Sequence, residues 1–488
     1  MLFLLFACGP QDTKTLPSES AVEESDADTD SDSDSDSDTD SDGDADCPYT
    51  SAEQPDDRAL GTNVSGPIET TTVNGYTDSY LYDETSYLKV GVRQDWGGSI
   101  IFFGLTDGAP GQNATNTIDA NDTGREVQVA FYDPDRIMQG CAWNASCQST
   151  PTTCPNSITF LGWNPVQGGN RCNNGSGVDS VQTTADGGLQ VLTTPLHWNP
   201  NWEDSTCTSD GCNSSTTAWL RGELSLTQTL RFARTHVVEL RYTVTETAGV
   251  DHGFTYQEMP TLYAANGRNG PDLWRLILAD GTEVAIDTPA GNDGFNYENV
   301  SSPAPWVSLQ NSDSTYGVGI LYENGVVDFQ GWQLRSLPFN NVRALFPFAI
   351  PAHGTVNARA YLLIGAFGTV QSEANAVMDS LAPFGVLDSP ADGSQQSGEV
   401  TVSGWVLDNR GVSSVSLRVD ESRAVPLSYG ASRPDVCAAW PGYPACDAVG
   451  FSGAFTLEAG DCPHLIEVLA TDTDGNERVI DRALVGGL

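Results

Sequence analysis

The sequence predicts an all-β protein. It would have a large domain of sheet packed on sheet, a smaller C-terminal β-sandwich and an acidic N-terminal tether without fixed structure. Three observations carry this. Short runs alternate apolar and polar residues with the period of two expected of a half-buried strand. Turn pairs such as Asn74-Gly75, Asp280-Gly281 and Asn324-Gly325 separate many of these runs. Helical periodicity is confined to one short stretch near Ser372–Leu381, so each strand's apolar face must be buried against another sheet.

The tether spans residues 9–46. It carries 15 acidic residues against Lys14 and alternates Ser-Asp and Thr-Asp from Ser25 to Asp46. Such a segment cannot bury enough apolar area to offset chain entropy, and its like charges hold it extended. The formal net charge of the whole chain is -43, and Lys14 and Lys89 are its two lysines. This balance repels nucleic-acid phosphates and anionic lipid, so neither is expected as a partner. Eleven cysteines are present, and setting Cys8 apart leaves ten, enough for five disulfides in an oxidising compartment. Cys437–Cys446 and Cys207–Cys212 are plausible local pairs, with Cys462 competing for the former. No metal-ligand spacing supports zinc, and neither a metal nor a cofactor is expected.

The chain then reads in order. Residues 1–8 end in Leu5-Phe-Ala-Cys8, which resembles the lipobox of bacterial lipoproteins, with Cys8 as the lipidated residue and the start of the signal lying upstream. The large domain is expected over 47–387. Its strand-like runs include Tyr87–Val92, Ser99–Phe103, Glu223–Phe232, Val237–Thr245, Gly317–Tyr322 and Ala358–Ile364. After the linker Leu387–Gly393, residues 388–488 alternate again through Glu399–Asp408 and Val412–Asp420. This unit resembles a bacterial Ig-like β-sandwich. Asp472, Asp474 and Asn476 could ligate calcium, but Asp-Gly-Asn is a hairpin turn first.

Two stretches of the large domain concentrate polar and aromatic groups: Asp122-Thr-Gly-Arg-Glu-Val-Gln128 and Leu161-Gly-Trp-Asn-Pro-Val-Gln-Gly-Gly169. A later strand ends in Gln257-Glu-Met-Pro260. The order Gly-Gly-Ser-Ile, Asp-Thr-Gly-Arg-x-x-Gln, Trp-Asn-Pro-x-Gln-x-Gly, a strand pair and Gln-Glu-Met-Pro is similar to secreted proteins with a galactose-mutarotase-like supersandwich. The likeness covers roughly residues 60–385. It implies two large sheets and a broad concave sheet face that binds saccharides. The familiar mutarotase His motifs are not evident here.

Sugar recognition needs paired donors and acceptors plus a flat apolar face. Asp122 and Glu258 are the candidate acid–base carboxylates, as glycoside cleavage would require. His197 and His252 are the candidate auxiliary acids. Arg125, Gln128, Asn164 and Gln167 are the candidate hydroxyl readers, and Trp163 and Trp198 the candidate stacking surfaces. All are expected to converge on one face. The absence of a Gly-x-Ser-x-Gly elbow, a P-loop and a His-Glu-x-x-His motif argues against serine hydrolases, nucleotide enzymes and common zinc proteases. The expected protein is a surface-anchored lipoprotein of the bacterial envelope, touching membrane only through its lipid, that binds and could process a carbohydrate. The alternative is a non-catalytic adhesin or structural module.

Overall fold

A computed structural model describes residues 47–488 apart from 56–67, 84–86, 106–114, 121–125, 135–161, 167–174, 199–221, 269, 287–294, 337–338, 423, 459, 461 and 488. The lipobox-like segment and the acidic tether therefore lie outside the described residues. The fold is all-β, with two large sheets forming the body of the first domain and a β-sandwich at the C-terminus.

The front sheet is eight-stranded. Its order is Asn296–Ser301, Asp328–Leu334, Phe339–Ala344, His252–Tyr263, Gln128–Tyr132, Gly162–Asn164 and Leu196–Trp198, with Phe346–Ile350 also pairing the central His252–Tyr263. The back sheet is nine-stranded, and its centre runs Gly317–Tyr322, Thr355–Gly365, Val237–Glu246 and Leu224–Arg234. Alternation decides which side chains meet between them. Leu230, Leu240, Val318 and Leu362 from the back sheet join Phe131, Leu262, Phe329 and Val342 from the front sheet in one buried core. A smaller sheet of four strands, Glu69–Val73 to Ser99–Leu105, adds Leu81, Val90 and Ile100 to that core. Gln228 breaks the apolar row, and its amide donates to the Gly98 carbonyl at 2.7 Å, which satisfies both buried groups and ties this sheet to the back sheet.

The outer face of the back sheet is also covered. The helix forms over Phe367–Ser380, earlier than the 372–381 expected from periodicity. It buries Val370, Ala374 and Val377, spaced along one stripe, against Trp306, Leu321 and Tyr361. Beside it, Glu239 is buried and bonded to Arg231, with Arg241 at 3.2 Å. Burial pushes the Glu239 carboxyl up, but Arg241, Arg231 and Arg359 together outweigh it and hold it below its ordinary 4.5.

The C-terminal sandwich packs a four-stranded sheet on a five-stranded one around Val402, Phe451, Ile466 and Val468. It is joined to the first domain by specific contacts. Glu323 accepts hydrogen bonds from Tyr361 (2.7 Å) and Tyr443 (2.6 Å), and Asn324 donates to the Pro441 carbonyl at 3.0 Å. The segment that reaches across is stapled by Cys437–Cys446, the local pair expected, whereas Cys462 bonds Cys47 over a separation of 415 residues. Asp472 closes the Asp-Gly-Asn turn by accepting from the Asn476 backbone and amide, and Asp474 pairs with Arg410. These residues serve a turn.

Two outcomes follow from these contacts. Because the folded-state value of Glu239 is lowered, the stability it confers is present above about pH 4.5 and is lost as pH falls through that lowered value. Urea unfolding at pH 7 and pH 3 should show Glu239→Gln to be less stable than the parent at pH 7, with a shallower acid limb. Joint replacement of Cys47 and Cys462 by Ser should cost about 2–4 kcal/mol in the same assay, since the bond closes a long loop of the unfolded chain.

Candidate functional site

The central front-sheet strand His252–Tyr263 faces two environments. Leu262 points to the core, while Phe254, Tyr256 and Glu258 alternate along the opposite face, the two rings exposed and Glu258 buried. Phe254 and Tyr256 are 70% and 54% exposed, unusual for large rings on a strand interior. The ladder to Gln128–Tyr132 shifts register between Glu258 and Thr261, where Pro260 has no N–H to give. Gln257 repairs the gap: its amide oxygen accepts from the Tyr132 N–H (2.6 Å) and its amide nitrogen donates to the Tyr132 carbonyl (3.0 Å). Tyr132 is thereby fixed, and its hydroxyl donates to Glu258 Oε1 at 3.0 Å.

From Glu258 a row of polar groups runs across the open face. Arg343 bonds the same Oε1 through Nη1. Its Nε and Nη2 donate to Gln330 Oε1 at 3.1 and 2.8 Å. Gln330 Oε1 also accepts from the Trp332 indole N–H (2.6 Å), and Gln330 Nε2 donates to Asn299 Oδ1 (2.8 Å). Trp332 stacks against Tyr297 with ring centroids 5.1 Å apart and 22° between the planes. The register explains the assembly: Asn299 faces Gln330, Gln330 faces Arg343, and Tyr297 faces Trp332. Burial works to lower the Arg343 pKa, but the Glu258 charge outweighs it and holds the guanidinium firmly protonated. Burial pushes the Tyr132 phenol up, and the Glu258 charge adds to this, so Tyr132 is a neutral donor.

The expected site residues divide between this face and the interior. Glu258 lies in the row. Gln128 shares its face, opposite Thr261, and its buried Oε1 takes no hydrogen bond among the described residues. The histidines do not join them. His197 and His252 point into the core side with Trp163, and both are buried. His252 Nδ1 lies 3.1 Å from Asp133, and His197 Nε2 lies 3.1 Å from Glu223. The Trp163 ring packs against both imidazoles, with centroids 4.6 Å from His252 and 5.6 Å from His197. Trp163 is wholly buried, so the stacking surface expected of it is core packing instead. Asn164 is buried as well, and its Oδ1 accepts from the Val166 N–H at 2.8 Å, closing a local turn. Trp198 ends the strand Leu196–Trp198, and its side chain is outside the described ones. Asp122, Arg125, Gln167 and Cys8 also lie outside the described residues. Tyr132, Tyr297, Asn299, Gln330, Trp332 and Arg343 join the row without having been expected from the sequence. Only the alternation of Gln330 and Trp332 in Asp328–Leu334 hinted at a polar, aromatic open face.

No group of three or more potential ligands suited to a metal ion occurs among the described residues. Nor is any helix among them long and apolar enough to cross a membrane.

Residues 383–434 match the bacterial Ig domain family. The match falls in the C-terminal sandwich, called the Ig domain below. No curated protein matches the chain. Among solved structures, a polysaccharide lyase is similar over 82% of this chain at 8% identity and a TM-score of 0.31. This chain spans 47% of that lyase's length. A galactose 1-epimerase from Lactobacillus acidophilus is similar over 62% of this chain and 99% of its own, at 8% identity and a TM-score of 0.30. An aldose epimerase homologue from C. elegans gives 7% identity, 62% and 99% coverage, and a TM-score of 0.30. Overlaps this loose leave the function to the residues themselves.

Arg343→Met would strand the largely buried Glu258 carboxylate. Urea unfolding should show a loss of about 3 kcal/mol, with a smaller loss when Glu258→Gln is added.

Proposed function

We propose that the large domain binds a neutral saccharide chain along the open face of the front sheet. One observation supports this above the rest: a continuous row of amide, guanidinium, carboxylate and phenol groups lies beside the Tyr297–Trp332 rings. Sugars present hydroxyls at their edges and C–H groups on their faces, and this arrangement offers a partner for each. Arg343 has its donors committed to Glu258 and Gln330, so its role is to hold them. Its charge offsets that of Glu258, which suits an uncharged ligand. The exposed Asn299 amide is placed to meet hydroxyls, with the Glu258 pair buried behind the row. Phe254 and Tyr256 continue the face along the central strand for roughly 13 Å from position 254 to 258, enough for more than one sugar ring.

Binding, rather than cleavage, is the activity proposed. Cleavage of a glycosidic bond uses two carboxyl groups across the scissile bond. Glu258 supplies one, already engaged by a cation and a phenol. The Cys47–Cys462 and Cys437–Cys446 bonds and the Ig domain suit an extracellular bacterial setting. Lipidation at Cys8, with residues 9–46 as a spacer, would present the domain at the cell surface.

The test is an array of neutral polysaccharides followed by calorimetry on any hit. Trp332→Ala should weaken binding at least tenfold, about 1.4 kcal/mol. A reducing-sugar assay on the same ligand should find no product. Absence of any glycan binding, or undiminished binding by Trp332→Ala, overturns the reading. Product formation that disappears in Glu258→Gln would make the protein an enzyme.

A further inference from the structure

The four-stranded sheet of the first domain, Glu69–Val73 to Ser99–Leu105, carries a feature that the front-sheet site does not use. A cavity of about 320 Å³ opens between this sheet and Asn116, Ile118, Ala120, Ala265, Asn266 and Gly270. Its size falls at the small end of the range for small-molecule sites. Its walls are built from fixed groups. Asp78 and Arg93 form a two-pronged ion pair at 2.7 and 2.9 Å, and both are buried. The Arg93 guanidinium also lies 4.5 Å from the Tyr76 ring centroid and 4.3 Å from that of Trp96. A buried ion pair of this kind is seldom better for stability than apolar packing of the same volume, so its place in a cavity wall calls for another reason.

The aromatic wall is equally constrained. Tyr80 lies flat across Gly91, where a Cβ would fall 2.3 Å from its ring. Phe102 meets Tyr80 edge-on at 6.2 Å, and the Lys89 ammonium sits 3.9 Å from the Tyr80 centroid. Burial pushes the Tyr80 phenol up, and the Asp78 charge adds to this, so the hydroxyl stays a donor, 3.3 Å from Asp78. Arg93 donates to Asp78 through Nε and Nη2. Asn266, also in the wall, is anchored by its donation to Asp119 at 2.6 Å.

We propose that this cavity is a second binding site, for one neutral, sugar-sized polyol. Asp78 and Arg93 cancel each other's charge in the wall, and the Lys89 ammonium lies against the Tyr80 ring. Rings beside hydrogen-bonding groups match a ligand with a C–H face and a hydroxyl edge. The proposal stands apart from the front-sheet reading, since it rests on other residues.

The experiment is saturation-transfer NMR and calorimetry of the whole protein with D-glucose and D-galactose as probes. Val73→Trp would plug the cavity from a partly exposed strand end that tolerates a larger side chain. At least one probe should bind the parent, lose at least tenfold in affinity to Val73→Trp and remain unaffected by Trp332→Ala. Asn266→Ala should weaken the same probe while the fold, followed by circular dichroism, is kept. No binding by either probe, or equal binding by Val73→Trp and the parent, overturns the proposal. Loss on Trp332→Ala alone would assign the sugar to the front face and also overturn it.

Discussion

The bond between Glu258 and Arg343 is the interaction on which the front face depends. Two charges taken largely out of water are tolerable there because each is closed off by further hydrogen bonds. Tyr132 completes the carboxylate, and Gln330 completes the guanidinium. Gln330 in turn sets the Trp332 indole. Four strands are thus locked in register through side chains as well as backbone. These bonds hold the side chains of the face in one arrangement, the kind of fixed surface that loses little entropy if a ligand is bound there.

The break at Pro260 makes this possible. A regular ladder would run straight through positions 258–261. The register shift re-aims Glu258 across the sheet toward Arg343, while Gln257 takes over the backbone bonds of Tyr132. The Pro260 carbonyl is not wasted, because it accepts from the Tyr322 hydroxyl of the back sheet at 2.6 Å. One irregularity therefore links the site to the core.

The interior histidines show the opposite use of polar groups. His197, His252, Asp133 and Glu223 lie with Trp163 at the strand ends, on the core side. An imidazole beside Trp in sequence reads equally as a proton donor or as a packed ring. Strand parity places the ring: Trp163 pairs with Phe131, and His197 with Trp163, so all three share the inward side.

The sequence by itself determined the all-β class, because a period of two leaves a strand one face to bury. It also determined the C-terminal sandwich and singled out Glu258, a carboxylate inside an aromatic strand, as a candidate. Only the tertiary structure decided which residues join Glu258. Asn299, Gln330 and Arg343 come from separate strands, and each looks like an ordinary solvent-facing position in its own run. Cross-strand register alone places them side by side, and register depends on packing over the whole sheet rather than on local spacing.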